Sequence, residues 1–199
     1  SSAYGIAPEA TLLTYRTAST EDGDQAASDC QVGSQLDKHK YAWLLNAAMN
    51  DGAQIINLSA SSHSHSDELK WTIARSMSQG AIITAAVGND AQDDNDAALS
   101  KWSGVVGVSA IGVDSARQDY SSWGQGVTVA AIGGPLSVHD YGTGRVAQVS
   151  GTSVSAPIVA GVLALARQKW PNATSNQLLQ LLTHTARTDQ SGWNKYIGY

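Results

Sequence analysis

The stretch AIITAAVGND, residues 81–90, decides the fold. Its apolar part, residues 81–87, runs unbroken between Gly80 and the turn-forming Gly88, Asn89 and Asp90. Such a run predicts a strand covered on both faces, as in a parallel sheet with helices above and below it. Working outward, residues 55–58 form a short apolar run after Asp51-Gly52, and residues 105–111 and 127–132 read as further strands. Residues 11–15 (TLLTY) read as a strand nearer the start. Helices alternate with these strands. Tyr41, Leu44, Leu45 and Ala48 have the spacing of an amphipathic helix, with Asp37 as its cap. Ser66, Asp67 and Glu68 open a second helix, lined by Leu69, Ile73 and Met77 and stopped at Gly80. Residues 154–166 are apolar all round and too long for a strand, which predicts a buried helix. Thr174 and Gln177 form a capping box for a last helix carrying Leu178, Leu181 and Leu182. This alternation predicts an α/β fold, a mostly parallel sheet with helices on both faces, in one domain over residues 1–199. In such sheets the working groups gather at the carboxyl ends of the strands.

Composition narrows the function. The 199 residues are 42% hydrophobic and 15% charged, with a net charge of -5 and no Lys/Arg cluster, which argues against nucleic acid and anionic membranes as partners. No apolar run approaches the ~20 residues of a membrane span. Residues 1–8 have neither the basic start nor the apolar centre of a signal peptide. Cys30 is the only cysteine, and reads either as a reduced thiol or as a bridge to another chain or segment.

The chemistry is concentrated in GTSVSAPIVAG, residues 151–161. A polar pair opens a segment that otherwise reads as buried helix. A helix start offers unpaired N–H groups and a partial positive charge, so a Ser hydroxyl there lies beside a ready anion site. That suits acyl transfer, in which a carbonyl oxygen becomes an oxyanion as the hydroxyl attacks. With Thr152 as cap, Pro157 removes the hydrogen bond that the Ser153 carbonyl would otherwise receive. An ordinary Ser/Thr N-cap explains the same residues equally well. TAAVGND, residues 84–90, places Asn89 at a strand's carboxyl end, where its amide can donate to an oxyanion or simply occupy a turn. INLS, residues 56–59, places small residues beyond another strand, where a peptide can lie against the backbone.

Together these stretches resemble the subtilisin-like serine proteases, or subtilases. The nucleophile motif is met by GTSVSAPIVAG, the oxyanion-hole motif by AAVGND and the cleft motif by INLS. GIAPEATLL (residues 5–13) and YSSWGQGVTVAAIGG (120–134) add two matches, although Ile132 stands where the family usually has Pro. The resemblance implies a three-layer α/β/α sandwich, incomplete at its N-terminal side, and a serine endopeptidase acting on peptide or protein substrates. It implies Ser153 as nucleophile, with Asn89 and the Ser153 N–H as oxyanion donors. It implies that Ser59, Ala60 and Ser61 form one cleft wall and Ser34, Gln35 and Leu36 the other. Ala86, Val87 and Gly88 then line the pocket for the residue before the scissile bond. It also implies a bacterial enzyme working outside the cytoplasm.

One departure is large. The family's triad runs Asp, His, Ser along the chain. Both of the first two belong before the GIAP stretch, and the sequence contains neither motif. A Ser hydroxyl without a base is a poor nucleophile. Activity is therefore expected to need an upstream segment carrying Asp and His. The alternative is a catalytically inactive pseudoprotease or peptide-binding module. His63 and His65 border the cleft strand but read as a polar loop, His39 and His184 as structural, and His139 as part of a Gly-rich loop. No metal site is expected from His spacing. Ca2+ is the one cofactor that the resemblance raises, at QDDND (92–96), a stretch lacking spaced EF-hand ligands and better read as a solvated loop.

Overall fold

In a computed structural model of the chain, residues 5–15, 36–60, 66–93, 99–139, 144–186 and 192–199 are described, with backbone alone for 36–40. Among these residues the main sheet has four parallel strands in chain order: β1 (Ile55–Leu58), β2 (Ile82–Ala86), β3 (Val106–Ile111) and β4 (Val129–Ile132). Asn57 is level with Thr84, Thr84 with Val106, and Val108 with Val129. Every residue of β2 is buried, as its apolar run predicts.

Alternation along the strands divides the core. Ile56, Ile83 and Ala85 face α1 (Leu36–Asn50) and α2 (Asp67–Ser78), packing against Leu45, Ala48, Leu69 and Ile73. Ile82, Ala86, Val106, Val108 and Val129 face α3 (Thr152–Lys169) and α4 (Ser175–Thr185), packing against Ala156, Val159, Leu163 and Leu178. The result is the predicted α/β layering. Small residues let α3 lie close. Ala156 is fully buried, and at Gly161 an added Cβ would stand 2.8 Å from the Ile6 side chain.

Local signals act as predicted at two helix starts. Ser66 Oγ accepts from the Leu69 N–H at 3.1 Å, with Asp67 and Glu68 in the first turn. Thr174 and Gln177 form their reciprocal capping box. Gly80, with φ 86, ends the turn after α2.

Other expectations are corrected. Residues 11–15 are not a strand; no described strand lies beside them and Leu12 is 83% exposed. A strand needs a neighbour for its N–H and C=O groups, and apolar content alone does not supply one. The helix at 41–48 begins at Leu36, so Asp37 lies within its first turn and is not its cap. Met77 does not line the core: it is 37% exposed, its side chain lying over Gly104, where an added Cβ would stand 2.0 Å from Met77 Cε. The helix at 154–166 starts at Thr152, and Gly151 takes the cap position. It is apolar all round without being buried all round, because the sheet covers only one side and leaves Val162 and Leu165 exposed. His139 ends a strand, not a loop: β5 (Leu136–His139) pairs antiparallel with β6 (Val146–Val149).

Candidate active site

Three carboxyl ends of the sheet converge on the first residues of α3. Beyond β4, the Gly133 carbonyl accepts from the Gly151 N–H at 2.8 Å. Beyond β2, Asn89 Oδ1 accepts from the Thr152 N–H at 2.8 Å. Beyond β1, Ser59 Oγ donates to the Ser153 carbonyl at 2.8 Å. Each of three consecutive residues is therefore held by a different strand end.

Thr152 orients Asn89. Its N–H can only donate, so the Asn89 atom facing it must be the oxygen, which fixes the amide's orientation. Thr152 Oγ1, fully buried, donates to the same Oδ1 at 2.9 Å and accepts from the Gly88 N–H at 3.2 Å. Asn89 Nδ2 is left with no hydrogen-bond partner among the described residues, on an exposed side chain.

The first turn of α3 shows the same selectivity. The Val154 and Ser155 N–H groups go to the Gly151 carbonyl at 3.0 and 3.4 Å, and that of Thr152 goes to Asn89. The Ser153 N–H is the one without a partner among the described residues, and the Ser153 side chain is exposed. Two donors without a partner among the described residues thus belong to Ser153 and to Asn89, the residue bonded to Thr152, at the positive end of an 18-residue helix on which Ser153 is exposed.

Gly151 makes this possible. Its φ of 146 and ψ of 161 lie in a region open essentially to glycine, and a Cβ there would stand 3.3 Å from Asn89 Nδ2. We expect Gly151→Ala to lower stability by about 1–3 kcal/mol from backbone strain and to push Asn89 from its place. Thermal melts would show the first effect. With an Asp- and His-bearing segment supplied, a loss of fluorophosphonate labelling at Ser153 larger than the fall in folded fraction would show the second.

Tyr120 holds the turn from below. Its hydroxyl donates to the Gly133 carbonyl at 2.7 Å, the same oxygen that receives the Gly151 N–H. Burial raises the phenol's pKa above its ordinary value, and a hydrogen bond from the Gly151 backbone pulls it partly back. The net shift is upward, so the protonated donor is favoured in the fold. Its contribution is complete below about pH 10, the ordinary phenol value, and is lost as pH climbs through the raised one. Tyr120→Phe should lower stability by about 1 kcal/mol at neutral pH. That difference should shrink in denaturant melts at strongly alkaline pH; a constant difference would assign the loss to packing.

Ser59 and Ala60 follow β1, the first exposed and the second half-buried, while Ala86, Val87 and Gly88 are buried beneath Asn89. Leu36 opens α1. Ser34, Gln35 and Ser61 lie outside the described residues, as do Cys30, His63 and His65. His139 is exposed at the end of β5, and His184 Nδ1 lies 2.8 Å from the Gln180 carbonyl. Neither hydrogen-bonds Ser153. No cluster of three His, Cys, Asp or Glu suited to a metal occurs among the described residues. Of QDDND, Gln92 and Asp93 are described, and the Asp93 carboxylate pairs with Lys195 Nζ at 2.7 Å. Residues 94–96 of that stretch lie outside the described residues. No described helix is long and apolar enough to cross a membrane.

Sequence reasoning missed Tyr120 as a support of this turn. The pattern SSW after Tyr120 marked a matching stretch but not the contact with Gly133, which depends on the path of the chain beyond β4.

The chain is 31% identical, over 92% of its length, to a thermostable alkaline protease of Halalkalibacterium halodurans, of which it covers 46%. It is 30% identical, again over 92%, to subtilisin BL of Lederbergia lenta, of which it covers 62%. The chain thus spans about half the length of the curated relatives it matches. Among solved structures, a protease of Pseudoalteromonas arctica superposes with a TM-score of 0.59 at 33% identity, over 68% of this chain and 45% of that one. The prenylagaramide maturation protease PagA shares the fold, with a TM-score of 0.69 at 24% identity over 77% of this chain and 58% of that one. The family model for the subtilases matches residues 1–199 from end to end. With its exposed serine at a helix start and its anchored asparagine, the chain belongs to the subtilase family.

Proposed function

We propose that the chain is the nucleophile-bearing part of a subtilisin-like serine endopeptidase that completes its triad with an upstream segment carrying Asp and His. One observation carries this reading: Ser153 is exposed at the start of α3, and its own N–H and the Asn89 Nδ2, on the residue bonded to Thr152, are donors that nothing else in the described residues uses.

In this reading Ser153 Oγ attacks the scissile carbonyl carbon as the upstream His takes its proton. The carbonyl oxygen becomes an oxyanion and accepts from Asn89 Nδ2 and the Ser153 N–H. Collapse of the intermediate expels the amine, which leaves with the proton from His, and water then releases the acyl group from Ser153 by the same route. The backbone of Ser59, Ala60 and Ser61 takes the peptide by strand addition, with Ser34, Gln35 and Leu36 opposite and Ala86, Val87 and Gly88 beneath the residue before the scissile bond. β1 is an edge strand among the described residues, which supports a further segment packing on that side. By family resemblance the enzyme works outside the cytoplasm.

The test is covalent. With the Asp- and His-bearing segment supplied, a fluorophosphonate probe should label Ser153, located by peptide mass mapping. A chain so completed that stays unlabelled, yet binds peptide, would be the peptide-binding module instead.

A further inference from the structure

Pro157 leaves the Ser153 carbonyl without its helical partner, and the fold fills that vacancy in a specific way. In an α-helix this carbonyl would accept from the N–H four residues on, which proline lacks. It accepts instead from Ser59 Oγ, 94 residues earlier in the chain. Ser59 Oγ itself accepts from Asn57 Nδ2 at 2.9 Å, and Asn57 Oδ1 accepts from Thr84 Oγ1 at 3.1 Å. Thr84 is fully buried in β2, level with Asn57 in the parallel ladder. The three side chains lie on the α3 face of the sheet, since Ile55 and Ile82, on the same sides of their strands, pack there.

The directions in this chain are settled by chemistry. The Ser153 carbonyl can only accept, so Ser59 must donate to it, and the one remaining lone-pair side of Ser59 Oγ then faces the Asn57 amide nitrogen. That leaves Asn57 Oδ1 for the Thr84 hydroxyl. All three bonds point the same way, from the core of the sheet to the nucleophile's peptide group, an alignment in which each bond polarises and strengthens the next. An exposed Ser59 would otherwise turn its hydroxyl to water; the Asn57 donor holds it toward α3.

We propose that Thr84, Asn57 and Ser59 are positioning residues for the reaction, a relay that locks the backbone of Ser153 to the strand bearing the substrate cleft. The proposal rests on the peptidase reading. Ser59 belongs by position to the cleft wall, so a peptide docking there presses on the same residue that grips Ser153. The wall takes the peptide through its backbone, while the Ser59 hydroxyl is turned to the Ser153 carbonyl, so the relay acts on the chemical step more than on peptide binding.

The experiment is steady-state peptide hydrolysis by the full chain, Asp- and His-bearing segment included. Ser59→Ala should lower kcat about tenfold, the size of one hydrogen bond lost from a network, with KM changed by less than about twofold. Ser59→Thr, which keeps the hydroxyl on an exposed residue, should recover most of kcat. Asn57→Ala should fall with Ser59→Ala, and the double variant should be no slower than the slower single, because both break one chain. Thr84→Val keeps the buried volume and should lower kcat about threefold. A kcat for Ser59→Ala within twofold of wild type, a loss not recovered by Ser59→Thr, or additive Ser59 and Asn57 losses would each overturn the proposal while hydrolysis by the wild type stands. A wild-type full chain that neither hydrolyses peptide nor labels at Ser153 overturns the peptidase reading, and this one with it.

Discussion

With an Asp- and His-bearing segment supplied, Ser153→Ala should abolish the proposed peptide hydrolysis, a fall on the order of 10⁶ in kcat, the size that losing the nucleophile has in subtilisin, itself a member of this family. The physical ground here is that the exposed Ser153 hydroxyl has no hydrogen-bond partner among the described residues and stands at the start of α3. Removing one oxygen from an exposed side chain leaves the fold intact, because the anchors of this turn run through Gly151, Thr152 and the Ser153 carbonyl and not through its side chain. Melting temperature should therefore stay put while activity vanishes. Residual hydrolysis at the wild-type rate would remove Ser153 from the mechanism.

Asn89→Ala carries the second large effect, about 10²–10³ in kcat with KM nearly unchanged, a range known from subtilisin's own oxyanion asparagine. The side chain has two jobs in this structure, and a second variant separates them. Asn89 Oδ1 fixes the turn through the Thr152 N–H and Oγ1, while Nδ2 is the spare donor. Asn89→Asp keeps an oxygen for Thr152 and replaces the donor by a second, negatively charged oxygen. It should preserve thermal stability better than Asn89→Ala and still lose at least as much kcat, because a fixed negative charge opposes the oxyanion. If Asn89→Asp retained most of the activity, Asn89 would be a turn residue and nothing more.

Subtilisin-like character was legible in the sequence because its motifs are local. Residues 151–161, 84–90 and 56–59 each name a strand end or a helix start, and the family model covers the whole chain. β2 was legible because a run buried on both faces needs no partner's identity to be recognised. The starts of α2 and α4 were legible because a cap bonds to the N–H three residues on, within reach of one turn.

What failed were the features that need a neighbour. Residues 11–15 have the composition of a strand, but pairing belongs to two segments and the described residues supply only one. Met77 has helical spacing with Leu69 and Ile73, yet whether a side chain is covered depends on what crosses above it, here Gly104. Thr152 looked like a cap because Thr is a good one, and the sharp backbone of Gly151 took that role instead.

The sequence by itself determined the alternation of strands and helices and the family, and singled out Ser153 and Asn89 as candidates, since periodicity, turn residues and caps act over a few positions. Only the tertiary structure decided which atoms of those residues are engaged and which are left over. Asn89 meets Thr152 across 63 positions and Ser59 meets Ser153 across 94. Hydrogen bonds between such distant residues exist only once parallel pairing has set the strand ends level and burial has pressed α3 onto them.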